Sequence, residues 1–251
     1  MKMAGSFTLC GTTSPSFFRT KLFPAQIFEI TTMAEFQKIG LLLSSDTSSS
    51  AENFVRAAHQ LLDNNHNLYA YLLHTGVKQF SNPAISDLVL RGLHLHICSL
   101  AAEKQGIPFS EKAVFCGLGT LASIIRNTGS FIFFPSVSDK IEFPGPHALV
   151  TLAAQDTSGH PAGNTLETLR VAAGLAQLSD LTINLQLHDK ALSLFELNTS
   201  HPELVQESTQ YLHLLQEAGG TLFLTRETDA CPIPYDLLST AQKPGLYLEI
   251  G

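Results

Sequence analysis

Four cysteines occur in the 251 residues, and Cys98 stands where a reactive thiol would be placed. It follows the apolar run Leu93–Ile97 and directly precedes a stretch, Ser99–Gln105, with helical character that ends at Gly106. A residue there lies at the carboxyl end of a strand, where the ligands of open parallel sheets gather. It also meets the free N–H groups and positive end of the next helix, which favour thiolate over thiol. The chemistry on offer is nucleophilic attack by sulfur, or carriage of a sulfur atom. A cysteine that merely packs is the competing role, and position by itself leaves both open.

Other residues invite chemistry at the same place. His94, His96 and Cys98 alternate along one strand and so point to one face. A His-x-His-x-Cys row is a donor set that zinc or copper accepts. In a sheet covered on both faces such histidines usually find hydrogen-bond partners instead. The expectation is no metal, with His96 as a neighbour that tunes the thiol. Cys116, at another strand end, offers either a resolving thiol or plain packing across adjacent strands. The loops Asp46–Ser50 and Asp156–Asn164 suggest phosphate binding. Neither has the G-x-x-x-x-G-K-[ST] or G-x-G-x-x-G spacing that a phosphate cradle requires, and Gly117-x-Gly119 is too short. Their Ser and Thr residues are expected to cap helices and close turns. No cofactor is expected. Cys10 has no role in this reading.

The elements that must position Cys98 alternate. Ile39–Ser44 reads as a strand, and Ser49-x-x-Glu52 as a capping box. Phe54, Ala57, Ala58, Leu61 and Leu62 then recur at helical spacing. Leu68–Leu73 is the next strand, closed by Gly76. A helix over Asn82–Arg91 and strand Leu93–Ile97 follow. Val114–Cys116 and Phe131–Phe134 are short strands on either side of a helical Leu121–Arg126. Strands alternating with helices predict a parallel sheet covered on both faces.

After the breaker cluster Pro144-Gly145-Pro146 the order restarts. Strand Ala148–Ala154 leads to a loop carrying Asp156-Thr157-Ser158, where the first half has Asp46-Thr47-Ser48. Helix Asn164–Leu178 precedes strand Leu181–Leu187, which ends in His188-Asp189-Lys190, where the first half has His74-Thr75-Gly76. Helices Asp189–Leu197 and Pro202–Ala218 and strands Thr221–Thr225 and Leu246–Ile250 complete the chain. The expected fold class is α/β, with two tandem doubly wound parallel-sheet domains. They span residues 37–136 and 145–251, with the boundary near 136–146.

Composition narrows the function classes. Net charge is −7, and charged residues make up 15%, below the roughly 25% of an average soluble domain. Mean hydropathy is +0.13. Surface buried in parallel sheets or in an oligomer explains both. At 44% hydrophobic the chain is not disordered. No apolar run approaches the roughly 18 residues of a membrane helix. Scattered cations on an acidic chain exclude an unaided grip on nucleic acid. Without a CxxC pair the cysteines suggest neither a zinc site nor a disulfide framework, so the expected compartment is the reducing cytosol. Residues 1–36 form a separate extension, with Lys2, Arg19 and Lys21, and no acid before Glu29. They read as an organellar targeting segment or as an over-long start preceding Met33.

The stretch Arg91-Gly-Leu-His-Leu-His-Ile-Cys98-Ser-Leu-Ala-Ala-Glu-Lys-Gln-Gly106-Ile resembles the active-site segment of the DsrE/TusD family, a strand running into C-x-A-A-x-x-R-G. Cys116-Gly117-Leu118-Gly119-Thr120-Leu121-Ala122 is similar to that family's S-G-L-G-A-L-A segment, and Phe131–Phe134 matches its last strand. The resemblance covers about residues 38–135. It departs at Lys104-Gln105, where the family tends to have basic residues and Lys104 keeps one charge. The second half resembles the family's TusC/DsrF-type members through Gly159-His160-Pro161-Ala162-Gly163 and Leu187-His188-Asp189-Lys190-Ala191. In place of the cysteine it has Thr225, and Cys231, six residues on, does not replace it.

The resemblance implies DsrE-like domains and a sulfurtransferase that relays sulfur as a cysteine persulfide. Cys98 would be nucleophile and carrier, supported by Ser99, His96, Gly117 and Gly119, with no metal or cofactor. The partners implied are sulfur donor and acceptor proteins, within a homo- or hetero-oligomer. The second domain would be a structural or docking partner without a sulfur-carrying thiol. The alternative is a non-catalytic scaffold or small-ligand sensor on the same fold. A carrier requires Cys98 exposed and acidic, whereas a scaffold buries it.

Overall fold

Ile39 to Leu43 is apolar at every position and buried on both faces, and the computed structural model makes the run an inner strand of a sheet, β1 (Lys38–Leu43). The structure describes residues 37–135, 140–145, 147–154, 163–178, 180–196, 201–229, 231–237 and 246–249. The expectations placed on residues 1–36, on Asp156-Thr157-Ser158 and on Gly159–Ala162 lie outside them.

In the first half β1 is followed by α1 (Ser48–Asp63), β2 (Asn67–Leu72), α2 (Pro83–Leu90), β3 (His94–Cys98), α3 (Ser99–Lys104), β4 (Val114–Cys116), α4 (Leu118–Asn127), β5 (Ser130–Phe134) and β6 (Ile141–Pro144). The strands form one sheet in the order β4-β3-β2-β1-β5-β6. The second half contains β7 (Leu149–Ala154), α5 (Gly163–Leu178), β8 (Thr182–Leu187), α6 (Asp189–Glu196), α7 (Pro202–Glu217), β9 (Thr221–Leu224), β10 (Asp236–Leu237) and β11 (Leu246–Glu249). Its sheet runs β10-β9-β8-β7-β11. Five parallel strands in each half therefore follow one and the same order, and the fold class is α/β with helix-covered parallel sheets.

Helices cover both faces of the first sheet. Phe54 of α1 meets Phe134 of β5 edge-on, ring centroids 5.3 Å apart. On the other face a Cβ at Gly40 would come within 2.8 Å of Ile124 in α4, so the missing side chain lets α4 approach. Gly76 is needed for a similar reason, since a Cβ there would lie 2.3 Å from the Leu43 carbonyl oxygen.

One local expectation changes, and two further elements are present that the sequence did not signal. The capping box at Ser49-x-x-Glu52 does not form. The helix starts at Ser48 with Thr47 as N-cap, because the nearby hydroxyls bond one another and the backbone. Thr47 Oγ1 donates to Ser50 Oγ at 2.8 Å, and Ser50 Oγ donates to the Pro135 carbonyl at 2.5 Å. The loop Asp46–Ser50 thus closes on itself, and Asp46 pairs with Lys78 at 3.0 Å. After β2 the chain enters a 3-10 run, His74–Ser81, with His74 at φ +52°. Running into the breaker cluster and including its Pro144, residues 141–144 add an antiparallel edge to the first sheet.

Candidate functional site

Register places the reactive candidates on one face. Tyr69 aligns with His94, Tyr71 with His96, and Cys98 with Cys116, so these six side chains share a side of the sheet. It is also the face of Gly40, on which α4 packs. Cys98 ends β3 and serves as N-cap of the six-residue α3, with Ser99 as its first residue. Cys116 lies across from it on the edge strand β4, its Sγ 3.8 Å from the Ile97 carbonyl. Burial, the largest influence, pushes the Cys116 thiol above its ordinary range.

The histidine row lies on this same face. Only its inner end is covered: His94 is exposed and stacks on Tyr69 with centroids 4.8 Å apart. His96 is half-buried, and its Nδ1 lies 3.2 Å from the Ala70 carbonyl. Burial lowers the pKa of His96, against smaller opposing effects from Ala70 and the His94 backbone. The ring is thus occupied by backbone and by Tyr69 rather than by the thiol. Among the described residues no cluster of three or more His, Cys, Asp or Glu is placed to hold a metal ion. Gly117 is the N-cap of α4 and Gly119 lies in its first turn; a Cβ on either would meet open space.

The expectation that a carrier thiol is exposed is not met. Cys98 is 2% exposed. The cover comes from the second half. Helix α5 is buried on nearly every side as far as Ala176, its polar Thr165, Glu167, Thr168 and Arg170 included. It packs on α4 at Gly174, where an added Cβ would lie 2.5 Å from Leu118. One helical turn earlier on that face, Arg170 reaches the thiol, its Nη2 3.8 Å from Cys98 Sγ. Arg170 and Glu167, 8% and 7% exposed, form a two-pronged ion pair. Arg170 Nε donates to Oε2 at 2.8 Å and Nη2 to Oε1 at 2.5 Å.

Burial by itself would raise the Glu167 pKa, but the hydrogen bonds and charge of Arg170 bring it below the ordinary value, helped by His74 and Lys104. Burial likewise works against the guanidinium, and Glu167 with Cys98 more than restores its charge. Tyr71, fully buried, donates to the Cys116 carbonyl at 3.5 Å. Burial first, then the two thiols, push its phenol far above its usual range.

Beside the pair lies a cleft of about 240 Å³ lined by His74, Ala101, Lys104, Gln105, Leu166 and Glu167. Among the described residues His74 Nδ1 is buried without a hydrogen-bond partner, and burial lowers the His74 pKa against the pull of Glu167. Tyr71, Glu167 and Arg170 escaped the sequence reading. The signal for the last two was present: Glu167-x-x-Arg170 holds all the charged residues of α5. In the second sheet the equivalent place belongs to Thr225, which is exposed and whose N–H donates to the Leu187 carbonyl at 3.3 Å. Cys231 lies further on, its Sγ 3.4 Å from the Ile233 carbonyl. No helix among the described residues is long and apolar enough to cross a membrane.

No family model matches the chain, and no curated protein matches it. Among solved structures the crystal structure of the YchN protein from E. coli is similar to it, at 19% identity and a TM-score of 0.35 over 39% of this chain and 99% of that chain.

Proposed function

We propose that the protein carries sulfur as a persulfide on Cys98, taking it from a donor protein and passing it to an acceptor protein. The observation that carries this reading is the placement of Cys98. It stands at the carboxyl end of a parallel strand and opens a helix, with a second thiol in register and a guanidinium at its sulfur. The segment around it is the one that resembles the DsrE/TusD active site. In this role the thiolate attacks the terminal sulfur of a donor persulfide, and the loaded sulfur is later surrendered to an acceptor thiol, by the attack-and-release chemistry of thiol exchange. A reducing compartment such as the cytosol keeps the thiol free for this. The low charge fraction suits assembly with like or related subunits.

One observation favours a second reading, a non-catalytic scaffold or small-ligand sensor: Cys98 is buried under α5. Intact mass after incubation with a cysteine desulfurase and cysteine separates the two. A reducible gain of about 32 Da, one sulfur, that Cys98→Ser abolishes is the result expected of a carrier. No gain, with Cys98 also inert to alkylating reagents at neutral pH, leaves the scaffold or sensor.

A further inference from the structure

We infer that Arg170 is a catalytic residue for chemistry at Cys98: the second half lends the first its guanidinium to hold negative charge on the reacting sulfur, and Glu167 positions it. The inference rests on the sulfur-carrier reading and adds to it a role for a half that has no sulfur-carrying thiol of its own.

Three observations support it. The contact is direct, Arg170 Nη2 to Cys98 Sγ at 3.8 Å. The guanidinium is held in place, since Glu167 takes both Nε and Nη2 in the paired geometry that fixes its plane. The placement also follows from packing: Gly174 sits against Leu118, and this close approach sets Arg170, one turn away, over the end of β3. A buried cation needs a paired anion, and Glu167 supplies it on the same helix. A pair satisfied within α5 has no need of the thiol, yet one nitrogen turns to the sulfur.

The step that Arg170 serves conserves atoms and electrons. The Cys98 thiolate attacks the terminal sulfur of the donor R–S–SH. The Sγ–S bond forms as the donor S–S bond breaks, and its electron pair leaves on the donor sulfur as R–S⁻. The terminal proton then passes to R–S⁻, leaving R–SH and Cys98–S–S⁻. No oxidant or reductant is consumed. A negative charge stands on Cys98 sulfur before the step and on its terminal sulfur after it, and Arg170 is the cation in contact with that place.

The test uses the full chain with Arg170→Lys, Arg170→Met and the double variant Arg170→Met/Glu167→Gln, which leaves no buried charge unpaired if the single change unfolds. Two rates are read. One is sulfur loading of Cys98 by intact mass. The other is the ratio of Cys98 alkylation by anionic iodoacetate to that by neutral iodoacetamide, which senses the local field and not the fold. Loss of a charged hydrogen bond predicts loading slower by roughly tenfold or more in the Met variants, with a lowered iodoacetate preference. Arg170→Lys keeps the charge and restores most of both. Wild-type loading and an unchanged ratio in the folded double variant overturn the inference, as does a wild-type thiol that neither reagent modifies. Failure of wild type to load, with the ratio still dependent on Arg170, removes the carrier reading while leaving the cation's action on the sulfur standing.

Discussion

At the end of β3 the chain places a cysteine beneath a helix, whereas at the end of β9, the same place in the second sheet, it leaves Thr225 in the open. The strand before each site ends alike. His74 follows β2 and His188 follows β8, and each keeps a buried ring nitrogen that no described residue meets with a hydrogen bond. The difference in cover is therefore not one of sheet order. It comes from α5, which belongs to the second half in sequence but sets its buried Glu167–Arg170 pair against the first sheet's thiol. The lesson is that the half without the thiol contributes the charged part of the site.

The comparison breaks most completely at Cys98. Cys98→Ser should abolish sulfur loading in the intact-mass assay, and adding Thr225→Cys should not restore it, because Arg170 is directed at residue 98. Loading at residue 225 would show that any exposed thiol at a strand end suffices. Next in size is Arg170→Met alone, which strands Glu167 in the core. Unfolding by denaturant should show a loss of about 3–5 kcal/mol, with much of it recovered in Arg170→Met/Glu167→Gln. Equal stability of the single and double variants would mean that Glu167 finds solvent or another partner.

Gly174→Val presses on Leu118 and should cost about 1–3 kcal/mol by overpacking. The same change should lift α5 and raise the alkylation rate of Cys98, whereas Thr225→Cys should react at one rate with or without it. A Cys98 rate that stays constant would place the cover elsewhere. The smallest effect is in pH. Glu167 titrates below its ordinary 4.5 in the folded chain, so its stabilisation is complete above that value and is lost as pH falls through the folded one. Unfolding free energies measured from about pH 7 down to about pH 3 should fall less steeply in Arg170→Met/Glu167→Gln than in wild type. Parallel curves would rule out Glu167 as a source of the acid sensitivity.

Much of this architecture is written locally. The strands around Leu41, Leu72 and Ile97 and the helices carrying Phe54 and Leu212 follow from side-chain periodicity and from turn residues, and every strand and helix of that kind lies within a few residues of its expected place. Cys98 at a strand–helix junction was equally legible, since both elements are defined by their own sequence. β6 was not, because a four-residue edge strand takes its order from pairing with β5 rather than from its own pattern. The burial of Cys98 and the identity of its charged neighbour were decided by tertiary structure. Arg170 lies 72 residues away, and what brings it to the sulfur is the fit of Gly174 on Leu118. Periodicity reports which face of a helix is apolar. It does not report which distant surface that face will meet, and for α5, where polar and apolar positions are mixed around the helix, it does not even select a face.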